Sequence, residues 1–452
     1  MTDINIDQLV HTAVFGDGDA KAEARKTIHM AARKRGAVSS SIYPLYMAFG
    51  RNEIERAFTV PAFNIRALTY DAARALFRVA MRHDVGAFIF EIARSEIGYT
   101  EQRPGEYAAC VLAAAIREGF TGPVFIQGDH FQASAKKWAT EEGQAAEMKA
   151  LESLIDEALA AEFYNIDIDT STLVNLDFPT RDEQQRANYE GTAHLTEYIR
   201  EREPNGITVS VGGEIGEVGK YNTHPEEVRA YADGLNRLLG GLTGISKISV
   251  QTGTSHGGVP LADGSIAQAK IDFEVLRQTT HICREEYGMA GAVQHGASTL
   301  PDSVFNKFPE AEAVEIHLAT GFQNMILDAP TLPQEIKDGI RDYCFEHCLD
   351  ERKPDQTDEQ FVYTTRKKAL GPFKRRMWEM DDAHKGPIID ELEAQFAFLM
   401  DKLGVHKTKD IVAQYIKPSY TDLHDYAAAS AELTAAAVVE AYGGEWKSHR
   451  PA

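Results

Sequence analysis

Cysteine is scarce in this chain, with four residues among 452. So few cysteines in so long a sequence argue against a disulfide framework. Cys344, His347 and Cys348 stand at helical spacing, and two interpretations of them are open: a metal clip, or one buried face of a helix. Cysteine is among the most buried residue types, so we favour the buried face.

Long apolar runs are missing as well. No stretch approaches about eighteen uninterrupted apolar residues, the length expected of a membrane-spanning helix. The first residues, MTDINIDQLVHTAVFGDGD, lack the basic and apolar regions of a secretory signal. We therefore expect a cytoplasmic protein with no membrane partner.

Basic residues are fewer than acidic ones: the chain has 47 Lys and Arg and 68 Asp and Glu, which gives a formal net charge of −21. This balance argues against nucleic acid and anionic membrane surfaces as partners. It does not exclude a small anionic substrate, because backbone N–H groups and a few local cations can bind phosphate.

Short apolar runs alternate regularly with helical patterns. Runs rich in β-branched and aromatic residues lie at 60–64, 86–92, 123–129, 163–169, 207–214, 247–253, 291–296 and 313–319. Between them, apolar residues recur at helical spacing. Eight strands, each followed by a helix, predict an α/β protein with a (β/α)8 TIM barrel over 60–330, flanked by helical extensions at 1–59 and 331–452. An open, doubly wound sheet is the alternative, because alternation alone does not show closure.

Chemically capable residues follow nearly every predicted strand. They are Asn64, Asp129 with His130, Asp169, Glu214, His256, His295 and, within the last strand, His317. In a barrel, the carboxyl ends of the strands form the mouth where reacting groups gather. The run 123-PVFIQGDHFQ-132 would therefore place a carboxylate and an imidazole where the core meets a ligand pocket.

Three of these histidines, His130, His256 and His295, come from separate strand ends. Three imidazoles with an open position suit a catalytic zinc ion. The spacing is not a local motif, so hydrogen-bonded core or surface histidines are the competing interpretation. Neighbouring glycines such as Gly257 and Gly296 would let backbone approach a phosphate, or they serve ordinary turns.

Several sequence blocks resemble, in the same order along the chain, those of class II, metal-dependent fructose-bisphosphate aldolases. They are PAFN at 61–64, GDH at 128–130, IDTS at 168–171, GEIGEVG at 213–219, GTSHGG at 253–258, HGAS at 295–298 and IHLAT at 316–320. Seven blocks spanning roughly residues 60–321 are a specific signal.

The resemblance implies a role for each matching residue. His130, His256 and His295 would bind a divalent metal, usually zinc, with Glu214 as an alternative or neighbouring ligand. Asp129 would act as acid and base on the C4 hydroxyl of the sugar. Asn64 would touch the dihydroxyacetone phosphate part, and Gly257, Gly296, Ser298 and Thr320 would hold its phosphate, beside a monovalent cation, K⁺ or Na⁺. Asp169 and His317, at the ends of their strands, are further candidates for binding the substrate.

The chain also departs from the family pattern. Asparagine is usual where this chain has His317, and Ala93 stands near where a phosphate-contacting serine is expected. The loop after GEIGEVG is short, which leaves Glu217 as the candidate for the proton shuttle at the triose carbon. For the far phosphate we expect Arg375 or Arg376, in a basic cluster at 366–380 whose other interpretation is a solvated helix face. These arginines could act across a subunit boundary, since the family is generally oligomeric and a homo-oligomer is expected.

We favour a metal-dependent aldolase acting on a phosphorylated sugar, with fructose 1,6-bisphosphate as first candidate substrate. The alternatives are an aldolase for another ketose phosphate, a non-catalytic aldolase-like subunit, or a metal-dependent hydrolase on the same barrel. A non-catalytic subunit would be expected to lose its ligands, and hydrolases commonly open with a His-x-His pair that 60-VPAFN-64 lacks. The Schiff-base route needs a lysine at a strand end, whereas Lys247 opens its strand.

Overall fold

A computed structural model of the chain describes residues 5–216, 222–253, 271–297 and 300–418. The N-terminal segment consists of α1 (Ile6–Phe15), α2 (Gly18–Lys34), β1 (Ala37–Ser39) and α3 (Tyr43–Gly50). The sequence predicted helices here, and the short strand β1 was not expected.

Eight parallel strands follow, and every one of them was predicted from its apolar run. They are β2 (Val60–Asn64), β3 (Ile89–Ala93), β4 (Gly122–Gln132), β5 (Asn165–Asp169), β6 (Ser210–Glu214), β7 (Lys247–Val250), β8 (Ala292–Gln294) and β9 (Glu315–Leu318). Each strand pairs in parallel with the next, and β9 pairs with β2 with Val60 opposite Glu315. This last pairing closes the sheet, so the fold is a (β/α)8 barrel and the open sheet is excluded.

Strand β1 lies outside the closed barrel. It pairs with the first residues of β4, with Ala37 opposite Gly122, ahead of the part of β4 that joins β3 and β5. The N-terminal segment is therefore attached to the barrel through backbone hydrogen bonds at the start of β4.

Helices connect the strands around the outside of the barrel. They are α4 (Thr69–Arg82), α5 (Arg94–Tyr99), α6 (Pro104–Glu118), α7 (Glu141–Ala160), α8 (Arg181–Arg202), α9 (Pro225–Leu239), α10 (Phe273–Tyr287), α11 (Lys307–Glu310) and α12 (Thr320–Leu327). Helix α6 shows how sequence sets the ends: Pro104 opens it, and Gly119 ends it at a φ of 77°. Proline lacks an N–H that the first turn would leave unused, and glycine accepts the left-handed conformation.

The C-terminal extension is helical over its described part. It contains α13 (Gln334–His347), α14 (Asp358–Thr365), α15 (Lys374–Trp378), α16 (Asp382–Lys402) and α17 (Lys409–Tyr415). Phe396 of α16 contacts Phe63 of β2 and Phe322 of α12, with ring centroids 5.2 and 5.1 Å apart. The extension thus shares the barrel's hydrophobic core. Cys344 and Cys348 lie in a small buried apolar cluster, in line with the buried-face interpretation. None of the described helices has the length and apolar character needed to cross a membrane.

Candidate functional site

The carboxyl ends of the strands bring the expected polar residues together. The mouth cluster, as we call it, consists of Asp129, His130, Asp169, Glu214 and His295, from β4, β5, β6 and the residue after β8. Parallel strands in a barrel end at one rim, which explains how residues far apart in the chain meet there.

His130 takes up an unusual backbone conformation inside β4. Its φ is +43°, and the pairing of β4 with β5 shifts register between Gly128 and Phe131. A bulge of this kind re-aims side chains, and a non-glycine residue at positive φ often marks a functional position. Gly128 permits the bulge, because a Cβ there would lie 2.5 Å from the Phe131 ring.

Three side chains surround the His130 ring. Its Nδ1 lies 2.8 Å from an Asp169 oxygen and 2.9 Å from a Glu214 oxygen. The ring centroid is 4.2 Å from that of His295. Two imidazoles and two carboxylates from four strands therefore share one small space.

Asp129 lies beside His130 with contacts to both carboxylate oxygens. Oδ1 is 3.0 Å from His317 Nδ1 and 3.8 Å from His130 Nε2, and Oδ2 is 3.5 Å from Asn64 Nδ2. The carboxylate is buried, at 5% relative exposure. Its orientation is consequently set from β2 and β9 on either side.

Burial and charge shift the protonation of the mouth cluster. Burial raises the pKa of Glu214 to about 7, assisted by the negative charge of Asp169. For His130, burial lowers the pKa, but Asp129 and Glu214 outweigh it and hold the pKa well above its usual value. Burial also opposes ionisation of Asp169, yet hydrogen bonding and charge from His130 bring its pKa below the usual value.

The donor set fits a divalent metal. Ligand atoms of Asp129, His130 and His295 lie within 4.8 Å of one another, as do those of His130, Asp169 and Glu214. Oε1 of Glu214 is buried and has no hydrogen-bond partner among the described residues. Imidazole and carboxylate ligands suit zinc, and a carboxylate on the other nitrogen of a ligating histidine is a usual orienting partner.

Beneath the mouth cluster lies a second group of polar side chains, of which the sequence analysis selected only His317 as a site residue. This interior network consists of Glu91, Gln127, Asp167, Lys247, Glu315 and His317, all buried inside the barrel. Strands of a parallel sheet usually read as continuous apolar runs. A single polar residue inside each of several such runs was the signal that could have revealed the network.

Lys247 supplies the ammonium group of the interior network. Its Nζ lies 2.5 Å from Glu315 Oε1 and 3.0 Å from Asp167 Oδ2. Burial lowers the pKa of Lys247, but the two carboxylates outweigh it and leave the pKa above the usual value. A Schiff-base lysine needs a lowered pKa, so this lysine is a poor nucleophile.

Four of the expected site residues fall outside the described part of the chain: Glu217, His256, Gly257 and Ser298. Gly296 is described and follows His295 with a φ of +66°, a conformation that favours glycine. Thr320 is the first residue of α12, with its hydroxyl 3.4 Å from Arg66.

Arg375 and Arg376 are not brought to the mouth cluster. Arg375 lies over the Phe15 ring at 4.3 Å and pairs with Glu379, while Arg376 lies over Phe373. The contact of Arg375 with Phe15 joins the C-terminal extension to α1, and the other two contacts lie within the extension.

Two other cations lie nearer the barrel mouth, and the sequence analysis did not select them. Arg66 follows β2, pairs with Glu96 and donates to Gln323 Oε1 at 2.9 Å. Burial, followed by the charge of Arg66, lowers the pKa of Lys367. The ammonium of Lys367 makes no hydrogen bond or ion pair with the described residues; its Nζ lies 5.7 Å from the centre of the Tyr99 ring.

Most of the chain matches one known protein family. The family described as "Fructose-bisphosphate aldolase class-II" matches residues 51–378, which is most of the chain. The chain belongs to this family. The match confirms the resemblance drawn from the seven sequence blocks, and it makes divalent-metal dependence the family expectation for the mouth cluster. No curated protein matches the sequence.

Solved structures support the fold of this class II aldolase family member. A probable tagatose 6-phosphate kinase from Sinorhizobium meliloti 1021 is 16% identical, with a TM-score of 0.52 over 85% of this chain and 99% of that one. A fructuronate-tagaturonate epimerase from Cohnella laeviribosi is 14% identical, with a TM-score of 0.53 over 77% and 82%. At these identities the likeness concerns the fold alone.

Proposed function

We propose that the protein is a metal-dependent aldolase that cleaves and forms a ketose bisphosphate, with fructose 1,6-bisphosphate as first candidate. The observation that carries this proposal is the meeting of His130 and His295, ring centroids 4.2 Å apart, beside the buried carboxylate of Asp129. It also speaks against a non-catalytic subunit, which would have no need to keep this set.

His130 and His295, joined by His256 and with Glu214 as neighbouring ligand, would hold the metal. When bound, a divalent cation supplies a Lewis acid that stabilises negative charge on the substrate's ketone oxygen. Zinc is our first candidate, and a monovalent cation, K⁺ or Na⁺, would assist at the phosphate.

Asp129 would take the proton of the C4 hydroxyl while the C3–C4 bond breaks. The bond electrons remain on the triose carbon and the C4 oxygen becomes the aldehyde of the second product. A buried carboxylate held on both oxygens suits proton transfer in a fixed geometry. Glu217 is our candidate to protonate the triose carbon and so complete cleavage. In the reverse direction Glu217 would remove that proton from the triose carbon, and Asp129 would return its proton to the C4 oxygen.

The substrate's anionic groups would be bound by two sets of residues. Gly296, Thr320 and Asn64, with Gly257 and Ser298, would hold the triose phosphate end, and Asp169 would line the sugar. Lys367 beside Arg66 is an additional candidate for the far phosphate, because its ammonium is partly buried and has no anionic partner among the described residues. Arg375 or Arg376 remain the candidates if a second subunit completes the site. A cytoplasmic homo-oligomer remains our expectation.

Cleavage of fructose 1,6-bisphosphate by purified protein tests the proposal, with triose phosphate release measured before and after EDTA and metal content determined on the same sample. We expect chelator-sensitive cleavage and about one divalent ion per chain. His295→Ala should lose metal and activity, whereas His281→Ala, an exposed histidine on α10, should keep both. Bound metal without cleavage of this or other ketose phosphates would overturn the aldolase assignment, and no metal would restore the non-catalytic alternative.

A further inference from the structure

His317 joins the mouth cluster to the interior network. Its Nδ1 lies 3.0 Å from Asp129 Oδ1, and its Nε2 lies 2.6 Å from Glu315 Oε1. The ring is buried, at 4% relative exposure. Because carboxylate oxygens accept hydrogen bonds, each ring nitrogen is placed to donate one.

Glu315 is itself held by donors from several elements. Oε1 accepts from Lys247 Nζ at 2.5 Å and from Gln127 Nε2 at 2.9 Å, in addition to His317. Oε2 accepts from the hydroxyl of Tyr46, which reaches it from α3. A buried carboxylate with this many donors has one available orientation.

The barrel makes room for the lysine that completes the chain of contacts. Gly212 of β6 faces Lys247 and Asp167, and a Cβ at this glycine would lie 2.9 Å from Lys247 Cε and 2.3 Å from Asp167 Oδ1. The ammonium could not reach Glu315 in the same way past a larger residue.

We propose that His317 is a positioning residue which fixes the Asp129 carboxylate for proton transfer, and that Glu315 and Lys247 hold His317 in place. The inference rests on the proposed role of Asp129. With asparagine at position 317, the usual family residue, a link to both Asp129 and Glu315 would be lost, since the amide is too short to bridge them as the imidazole does. In this chain, residues of the barrel interior therefore set the orientation of the acid–base carboxylate of Asp129.

A double-mutant cycle tests the functional part. His317→Asn should lower kcat by about 10- to 100-fold with KM and metal content unchanged, the range seen when an orienting partner is lost. In an Asp129→Ala background the same substitution should change kcat by less than about twofold, because residues acting as a unit are non-additive. Equal effects in both backgrounds would assign His317 a merely structural role and overturn the inference. His281→Asn is the matched control.

A second measurement does not depend on activity. Full-length, chelator-treated protein labelled with ¹⁵N-histidine should show two hydrogen-bonded imidazole N–H signals that disappear in His317→Asn. Glu315→Gln should shift one of them and Asp129→Ala the other. A single N–H signal from His317, or no response to Glu315→Gln, would refute the relay even if the protein proves to be an aldolase. Conversely, a wild-type protein that cleaves no ketose phosphate but shows both signals would refute the proposed function and leave the contacts standing.

Discussion

At the scale of single residues, the site depends on side chains whose geometry is fixed from more than one strand. Asp129 shows this most directly, because His317 of β9 contacts one carboxylate oxygen and Asn64 of β2 contacts the other. A carboxylate constrained in this way can be tested separately from the metal ligands beside it.

Removal of the Asp129 carboxylate should separate turnover from metal binding. We expect Asp129→Ala to lower kcat for fructose 1,6-bisphosphate by two or more orders of magnitude, about the contribution of a general acid–base group. Metal content should remain near that of the wild type, because His130 and His295 are retained. Kinetics and metal analysis on one preparation check this, and loss of the metal in this variant would place Asp129 among the ligands.

Lys367 is the residue with which to test recognition of the far phosphate. Lys367→Met should raise KM for a ketose bisphosphate more than for the corresponding monophosphate, because only the bisphosphate carries the second anion. Lys368→Met provides a matched control, since the ammonium of Lys368 pairs with Glu351 instead. Arg375→Glu, compared in the same assay, separates the two candidates: an effect at Arg375 alone would favour the sequence-based prediction.

At the scale of elements, the strands and most helices could be predicted, because apolar runs and helical spacing are local signals. Apart from His317, the interior network was missed, since Lys247 at the start of an apolar run looks like an exposed end until barrel closure turns it inward. His130 illustrates a further limit: its positive φ comes from a bulge that only pairing with β5 creates. The strand β1 was missed because three residues carry too little pattern.

The segment before α17 attaches the C-terminal extension to the entry of β3. Thr408 Oγ1 accepts from the backbone N–H groups of Gly86 and Ala87, both at 3.1 Å. Thr408→Val leaves both buried donors unsatisfied and should lower the free energy of unfolding by about 2–4 kcal/mol. Guanidinium unfolding checks this, with Thr364→Val, an exposed threonine of α14, as the control. A loss within about 0.5 kcal/mol would contradict the attachment.

An ion-pair cluster attaches α2 to the turn after α7. Burial raises the pKa of Glu162, but His29 and then Arg33 outweigh it and bring the pKa below its usual 4.5. A carboxyl whose folded pKa is depressed stabilises the protein above its unfolded pKa, and that contribution is lost as pH falls through the folded value.

Glu162→Gln should therefore destabilise the protein by about 2 kcal/mol near pH 7. The difference between wild type and variant should shrink as pH falls below about 4.5, the usual pKa of the carboxyl. Urea unfolding of both proteins at several pH values measures it. A difference that stays constant down to pH 3 would show that the carboxylate's charge contributes nothing.

At the scale of the whole molecule, the barrel and most of the described part of the extension share one hydrophobic core, while Cys344, Cys348 and Phe361 form a small separate cluster. The family match itself runs to residue 378, beyond the predicted barrel boundary at 330. Trp378 of α15 stacks on Tyr70 of α4 with ring centroids 5.8 Å apart, so its fluorescence reports this junction.

We expect unfolding in a single transition. In a Trp138→Phe/Trp446→Phe variant, Trp378 fluorescence and far-UV circular dichroism should give coincident guanidinium midpoints, the usual sign of one cooperative unit. An earlier fluorescence transition would show that the extension unfolds independently of the barrel.

The pairing of β9 with β2 also bears on how the chain is made. Thr59 Oγ1 donates to the carbonyl oxygen of Ala313 across 254 residues of sequence. A ribosome adding about 5–20 residues per second completes β2 roughly 13–50 s before β9. During that interval one edge of β2 presents unpaired backbone groups, which favour pairing with other chains. We therefore expect the nascent polypeptide to be a chaperone client until its last strand emerges.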